Sequence, residues 1–235
     1  MADGLRGAKL ELAEHLKTQV LTMAISPGMD LDETELSLAF GLSRTPLREV
    51  FRQLAGEGYL ELRSGKGARV SEMSHTSLRD FFLAAPMVYA AILRLAAEHR
   101  TDAQLIALKE AQKTFRDTLR TGSPTARTLA NNRFHEITGE MAGNIYLLPS
   151  FRRLMIDHAR IGMTFYQPTS NDMAENLAKA SEQHDAIIAA IETRDGQKAA
   201  DLADEHWALS RDQIESFVMP LPLDFSLGTM PLRQA

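Results

Sequence analysis

The sequence contains no cysteine. That excludes a disulfide framework and any thiolate metal site, and it suits a reducing cytoplasm. Aromatic residues are few, at 6%, against 44% hydrophobic residues overall. An excess of positive charge is also missing. The formal net charge is −5, which argues against a protein that coats nucleic acid without specificity. No apolar run approaches the roughly 18 residues of a membrane span. Met1 to Arg6 lacks the basic segment and apolar run of a signal peptide. The expectation is a soluble, cytoplasmic protein with no membrane partner. At 235 residues there is room for two modest domains with cores of their own.

What is present is helical periodicity nearly everywhere, and one stretch with two kinds of face. From Arg44 onward, Leu47, Val50, Phe51 and Leu54 recur at i, i+3, i+4 and i+7 and form an apolar stripe. Arg44, Arg48 and Arg52 recur every four residues and form a basic one. Ser43 or Thr45 can cap the start, and Pro46 is tolerated where first-turn amides lack intrahelical partners. Upstream, Glu33 to Phe40 reads as a short helix capped by Asp32, with Gly41 as the turn. Two short helices, a tight turn and arginines at the start of the second describe a helix-turn-helix. Tyr59 to Arg63 and Ala68 to Val70 alternate around Ser64-Gly65-Lys66-Gly67, which predicts a β-hairpin. Directly after a recognition helix, such a hairpin reads as a wing whose tip reaches a phosphate backbone or minor groove. Residues 44–69 hold six Lys or Arg against three Glu, or +3. Residues 1–75 hold nine against eleven acidic residues, or −2. The positive charge is therefore local, as a groove reader requires.

Around this unit, residues 5–25 read as an amphipathic helix, and Met29 to Leu31 as a short edge strand. Ser71 to Thr76 is a polar connector, the expected route by which the geometry of the C-terminal helices reaches the winged helix. From Ser77 to Phe217 only helices are predicted, six in antiparallel order with short connections. The first spans about Leu78 to His99, with Leu83, Val88, Ile92 and Leu95 apolar and Pro86 expected to bend it or delay its regular part. The fourth stops at Pro168, and Ser170 or Asn171 opens the fifth. The tail from Val218, with Pro220, Pro222 and Pro231, reads as an extended or disordered arm. The fold class is thus mainly α, with a winged helix-turn-helix at 1–75, a six- to seven-helix bundle at 76–217 and a tail at 218–235.

Several polar residues fall on apolar stripes of that bundle. His184 lies with Leu177, Ile187, Ile188 and Ile191, and His206 with Ala199, Leu202 and Ala203. Asn131 and His135 are four apart, on one face beside Phe134 and Ile137. Buried imidazoles on three helices each need a partner. A shared metal ion or anionic ligand supplies partners to all of them, and a hydrogen-bonded core is the alternative. Three imidazoles suit zinc, nickel or a similar divalent ion. A metal-dependent enzyme is the competing functional class. Against it, no residue is placed as a general base: Glu136 points about 100° round the helix from His135, and no HExxH motif occurs.

These residues resemble a known family. Pro27-Gly28, Leu31, Glu33, Glu35-Leu36, Gly41-Leu-Ser-Arg-Thr-Pro-Leu-Arg-Glu49, Leu54, Gly58 and Gly65 to Val70 are similar to the winged helix of GntR-family transcriptional regulators. The helical part resembles the FadR-type, or FCD, effector domain through Asn131-Asn-Arg-Phe134-His135, Gly143-Asn144, His184, Asp195-Gly196 and His206. The resemblance implies operator contacts from Arg44, Thr45 and Arg48 and a wing tip at Ser64, Gly65 and Lys66. It also implies a homodimer on a near-palindromic operator and a small organic-acid effector in the helical domain, with Tyr89 and His158 as candidate contacts. The function implied is a DNA-binding transcriptional regulator, a repressor, and not an enzyme. The implied ligands of a zinc or nickel ion are Asn131, His135, His184 and His206. Asn131 stands where the family has an Asp. Ala85 and Tyr89 align with the family's Arg and Glu of the first bundle helix, and Thr34 with an Arg that contacts DNA.

Overall fold

Local chemistry sets the N-terminal unit. The Asp32 carboxylate accepts the backbone N–H groups of Thr34 (2.8 Å) and Glu35 (3.0 Å), and so starts a helix with acidic residues in its first turn. Gly41 ends that helix at φ 62°, a left-handed turn that glycine adopts without strain. The computed structural model describes residues 2–166 and 171–218. In chain order the winged unit comprises α1 (Ala2–Leu21), α2 (Glu33–Phe40), α3 (Arg44–Glu57), β1 (Leu60–Arg63) and β2 (Gly67–Val70). Ser43 occupies the N-cap position of α3 without a side-chain cap bond. The strands pair antiparallel, Leu60 opposite Val70 and Arg63 opposite Gly67. The expected edge strand at Met29 to Leu31 is reduced to a bridge between Asp30 and Arg69, though Leu31 N–H still donates to the Ala68 carbonyl at 2.9 Å.

The helical part comprises α4 (His75–His99), α5 (Asp102–Thr121), α6 (Pro124–Ala142), α7 (Leu147–Phe165), α8 (Asn171–Glu192) and α9 (Gly196–Val218). Ser74, Thr101 and Ser123 cap three of these starts with their hydroxyls, and Asp195 caps a fourth through Lys198 N–H. Pro86 does not delay α4, which is one helix from His75 through His99. Leu83 is not a core residue either: it is 66% exposed, while Ile92 is fully buried. A window of 18 residues within α4 has mean hydropathy 1.5, long and apolar enough for a membrane span by composition. That corrects the expectation of no such run. Here the helix packs against α9, α6 and α7 and buries Phe81, Ala85, Tyr89 and Ile92. The predicted stop at Pro168, the start at Ser170 and the tail beyond Val218 lie outside the described residues.

The core of the winged unit is built from Leu12, Leu16 and Val20 of α1, Leu47, Val50, Phe51 and Leu54 of α3, and Leu60, Ala68 and Val70 of the hairpin. Two residues of α7, Ile156 and Ala159, complete it. The connector is therefore not the sole link between the two parts. Ser71, at its start, is buried and accepts hydrogen bonds from Arg160 of α7 on its carbonyl (3.1 Å) and hydroxyl (2.9 Å).

Candidate functional site

On the basic face, α3 turns Leu47, Val50, Phe51 and Leu54 inward and leaves Arg44, Thr45, Arg48 and Arg52 exposed. Ser64, Gly65 and Lys66 form the exposed wing tip, where Lys66 N–H donates to the Arg63 carbonyl at 3.1 Å. Gly65 takes φ 70°, a conformation that glycine adopts cheaply. Between recognition helix and wing lies a cleft of about 190 Å³, lined by Arg48, Arg52, Arg63, Gly65, Gly67 and Glu33. Glu33 is its one acidic lining residue among the described residues. The carboxylate accepts Arg48 Nε at 3.1 and 3.2 Å and Nη2 at 3.1 Å, a bidentate pair that orients the guanidinium. Gly67, beside the Glu33 carboxylate, takes φ 78°, a left-handed conformation that glycine adopts without strain. Much of the wing's positive charge is matched internally. Arg63 pairs with Asp30 (3.2 Å), and Arg69 with Glu61 (2.7 Å) and Glu72 (2.8 Å). Lys66 stays exposed at the tip.

The second site forms inside the helical part. Asn131 and His135 of α6, His184 of α8 and His206 of α9 are all buried. One ring nitrogen from each of the three histidines lies within 4.8 Å of the other two. His184 stacks flat on Phe134, with centroids 3.8 Å apart and planes at 11°. Its Nδ1–H donates to Gln112 Oε1 at 2.9 Å. Gln112 cannot be flipped, because its Nε2 donates to the Ser181 carbonyl at 2.8 Å. An amide oxygen only accepts, so the proton sits on Nδ1 and the lone pair of His184 Nε2 is free for a ligand. His206 Nδ1 likewise meets Gln183 Oε1 at 2.9 Å. Asn131 Oδ1, His135 Nε2 and His184 Nε2 are buried with no hydrogen-bond partner, each costing about 1–3 kcal/mol. An N₃O set of this kind, three imidazoles and an amide oxygen with buried atoms left unpartnered, fits a borderline divalent ion. Bonds of about 2.1 Å limit the separation of two ligand atoms to about 4.2 Å. An ion therefore needs only small side-chain rotations to be held by all three nitrogens.

Tyr89 and His158 join this cluster. The Tyr89 hydroxyl lies 2.7 Å from His158 Nδ1, and the His158 ring is 5.1 Å from that of His135. Together with Trp207 they line a cavity of about 10 Å³, the room of one water. An organic acid enters only if side chains yield. Burial, then mutual repulsion, pushes His135 and His184 well below the ordinary histidine range; burial alone holds His158 near about 4, and burial with the His158 charge holds His206 near about 3. At neutral pH the cluster carries no charge of its own. Burial, followed by the Asp157 charge, drives the Tyr89 hydroxyl far up. Ala85, aligned with the family's Arg, is fully buried and offers no polar group.

The sequence reading misses Gln112 and Gln183. A signal for Gln112 exists: it shares a helical stripe with Leu105, Leu108 and Phe115, all buried in the structure. Gln183 gives none, because it is only half-buried and its role depends on where α9 lies.

Comparison with known proteins agrees with this arrangement. The FCD domain model matches residues 87–209, more than half of the chain, and the model of bacterial regulatory proteins of the gntR family matches residues 8–70. The HTH-type transcriptional repressor RspR of Escherichia coli is 25% identical over 193 residues, covering 81% of this chain and 82% of that one. A probable D-xylose utilization operon transcriptional repressor of Paenarthrobacter nicotinovorans is 30% identical over 183 residues, 77% of each. The solved structure of E. coli McbR/YncC shares the fold, with TM-score 0.72 at 19% identity, covering 88% of this chain and 98% of that one. The chain therefore belongs to the GntR family of bacterial transcriptional regulators, in the branch whose helical part is an FCD domain.

Proposed function

We propose that this regulator is a homodimeric repressor in the cytoplasm. In this reading residues 1–75 bind a near-palindromic operator, and residues 76–217 sense a divalent metal ion together with a small organic acid. The repressor names of two relatives support the sign of regulation. The observation that carries the sensing role is the set of buried, unpartnered polar atoms on Asn131, His135 and His184 beside a neutral cavity. His135, His184, His206 and Asn131 would hold zinc or nickel, and the ion would supply the positive charge that an organic anion needs there. Tyr89 and His158 stand at the cavity to hydrogen-bond that anion. Because Asn131 adds no negative charge, ion and anion should bind cooperatively. Contact with the winged unit runs through α7, which carries His158 toward the cluster and Ile156 and Ala159 into the winged core.

The DNA reading is tested by fluorescence anisotropy on the region upstream of the protein's own gene, at several salt concentrations. Arg48 is outside the apolar core, and its side chain is 53% exposed. Arg48→Ala should therefore keep the fold and cost about 1–3 kcal/mol of operator binding. Lys66→Ala should weaken binding to every sequence alike and flatten the salt slope by about one. Unchanged operator affinity in Arg48→Ala, with circular dichroism also unchanged, would sink the recognition-helix assignment.

A further inference from the structure

Helix α4 has the composition of a membrane span, yet only 39% of its apolar window is buried within the chain. The uncovered part is not scattered. At 100° per residue, Asp80, Leu83, Ala84, Met87, Ala91 and Arg94 fall within one sector about 100° wide. Leu83 and Met87 are 66% and 69% exposed, among the most exposed large apolar side chains described. Ala84 and Ala91 are half-buried, and Asp80 and Arg94 are exposed at the two ends. Apolar surface of this size on one helix calls for a partner.

The pattern of charge says which one. Pairing residues whose numbers sum to 174 places Met87 against itself, Leu83 against Ala91 and Asp80 against Arg94. A second copy of the same helix, antiparallel about a two-fold axis at Met87, therefore meets large with small and acid with base. A parallel copy would set Asp80 against Asp80 and Arg94 against Arg94. Small residues at 84 and 91 let the axes approach to the usual 8–10 Å or so of packed helices. We infer that the exposed α4 stripe from Asp80 to Arg94 is an isologous dimer interface that takes a second copy of this chain. This rests on the homodimer reading above and adds its face and register. Within one chain, Asp80 lies 3.3 Å from Arg79, and Arg94 donates to Gln197 Oε1 at 2.7 Å. Both contacts are exposed, so the same groups can turn to a partner.

Sedimentation equilibrium on the full chain and four variants tests this. Met87→Lys, which sets two ammonium groups together at the axis, should raise the dimer dissociation constant about 100-fold. Asp80→Arg and Arg94→Asp should each raise it about tenfold, since each creates like-charged pairs at both ends of the stripe. The double variant D80R/R94D should return close to wild type, because opposite charges face each other again. Circular dichroism of all variants should match wild type. A monomeric wild type would overturn both this interface and the homodimer reading. A wild-type dimer unaffected by Met87→Lys would overturn the interface and leave the homodimer standing. Failure of the double variant to recover would overturn the antiparallel register.

Discussion

Replacing Asn131 with aspartate is expected to lower the melting temperature of chelator-treated protein while raising zinc or nickel affinity on the order of 100-fold. Both effects come from one charge. Asn131 Oδ1 is buried and has no hydrogen-bond partner. A carboxylate there, without a counter-charge, bears the cost of desolvation or must take up a proton. With a divalent ion present, the same carboxylate offsets part of the +2 charge in a low-dielectric interior, which an amide oxygen cannot do. The metal-induced rise in melting temperature should therefore be larger in Asn131→Asp than in wild type. In wild type, the correct organic acid should raise metal affinity, and it should do so less in the variant. Calorimetric titration of stripped protein decides the matter. Equal, tight binding by both proteins would refute the charge argument, and no binding by either would refute the metal centre.

The second large effect is expected at α7. Arg160 has a side chain with no exposed surface, and its Nη1 lies 3.2 Å from Asp157 Oδ1. Asp157 also accepts Arg153 Nη1 at 3.2 Å, and Arg153 in turn packs over Gly58 at the end of the recognition helix. Burial lowers the Arg160 pKa, opposed by the Asp157 charge, but a guanidinium does not give up its proton near neutrality. Asp157→Ala thus leaves a buried cation with only the neutral Ser71 oxygens as partners. The expected cost is about 3–5 kcal/mol of stability, read from urea unfolding. Replacing both members, as in D157L/R160M, removes the buried charges together and should cost less than Asp157→Ala alone. A single-variant loss below about 1 kcal/mol would show that Arg160 is reached by water. The contacts from Arg153 to Gly58 and from Arg160 to Ser71 tie α7 to the end of α3 and to the start of the connector. The polar connector, expected to be the route between the parts, is itself held by this helix.

Much of the fold can be read locally because its signals are local. The caps at Asp32, Thr101, Ser123 and Asp195 each depend on a side chain within three residues of its target, and the turn at Gly41 on a residue that has no side chain. The same holds for the Leu47, Val50, Phe51 and Leu54 stripe, whose period alone puts it on one face. Errors arise where neighbours in space decide. Pro86 reads as a residue that bends the first bundle helix or delays its regular part, and the delay does not occur: α4 is helical from His75 to His99. Leu83 reads as one of the apolar positions of α4, yet it is exposed, because hydrophobicity says nothing about whether a helix face is covered by the same chain or left open.

The site divides in the same way. The sequence by itself determined that His135, His184 and His206 sit on apolar stripes, because helical period is fixed by residue order. It also determined that Arg48 faces away from the core. Only the tertiary structure decided that the three imidazoles come within 4.8 Å, since that depends on how three separate helices cross. Likewise, the Glu33–Arg48 pair, the Gln112 bond that sets the His184 tautomer and the Arg160–Ser71 clamp join residues 15, 72 and 89 positions apart. Contacts at such separations are made by the packing of whole elements, and no local period carries them.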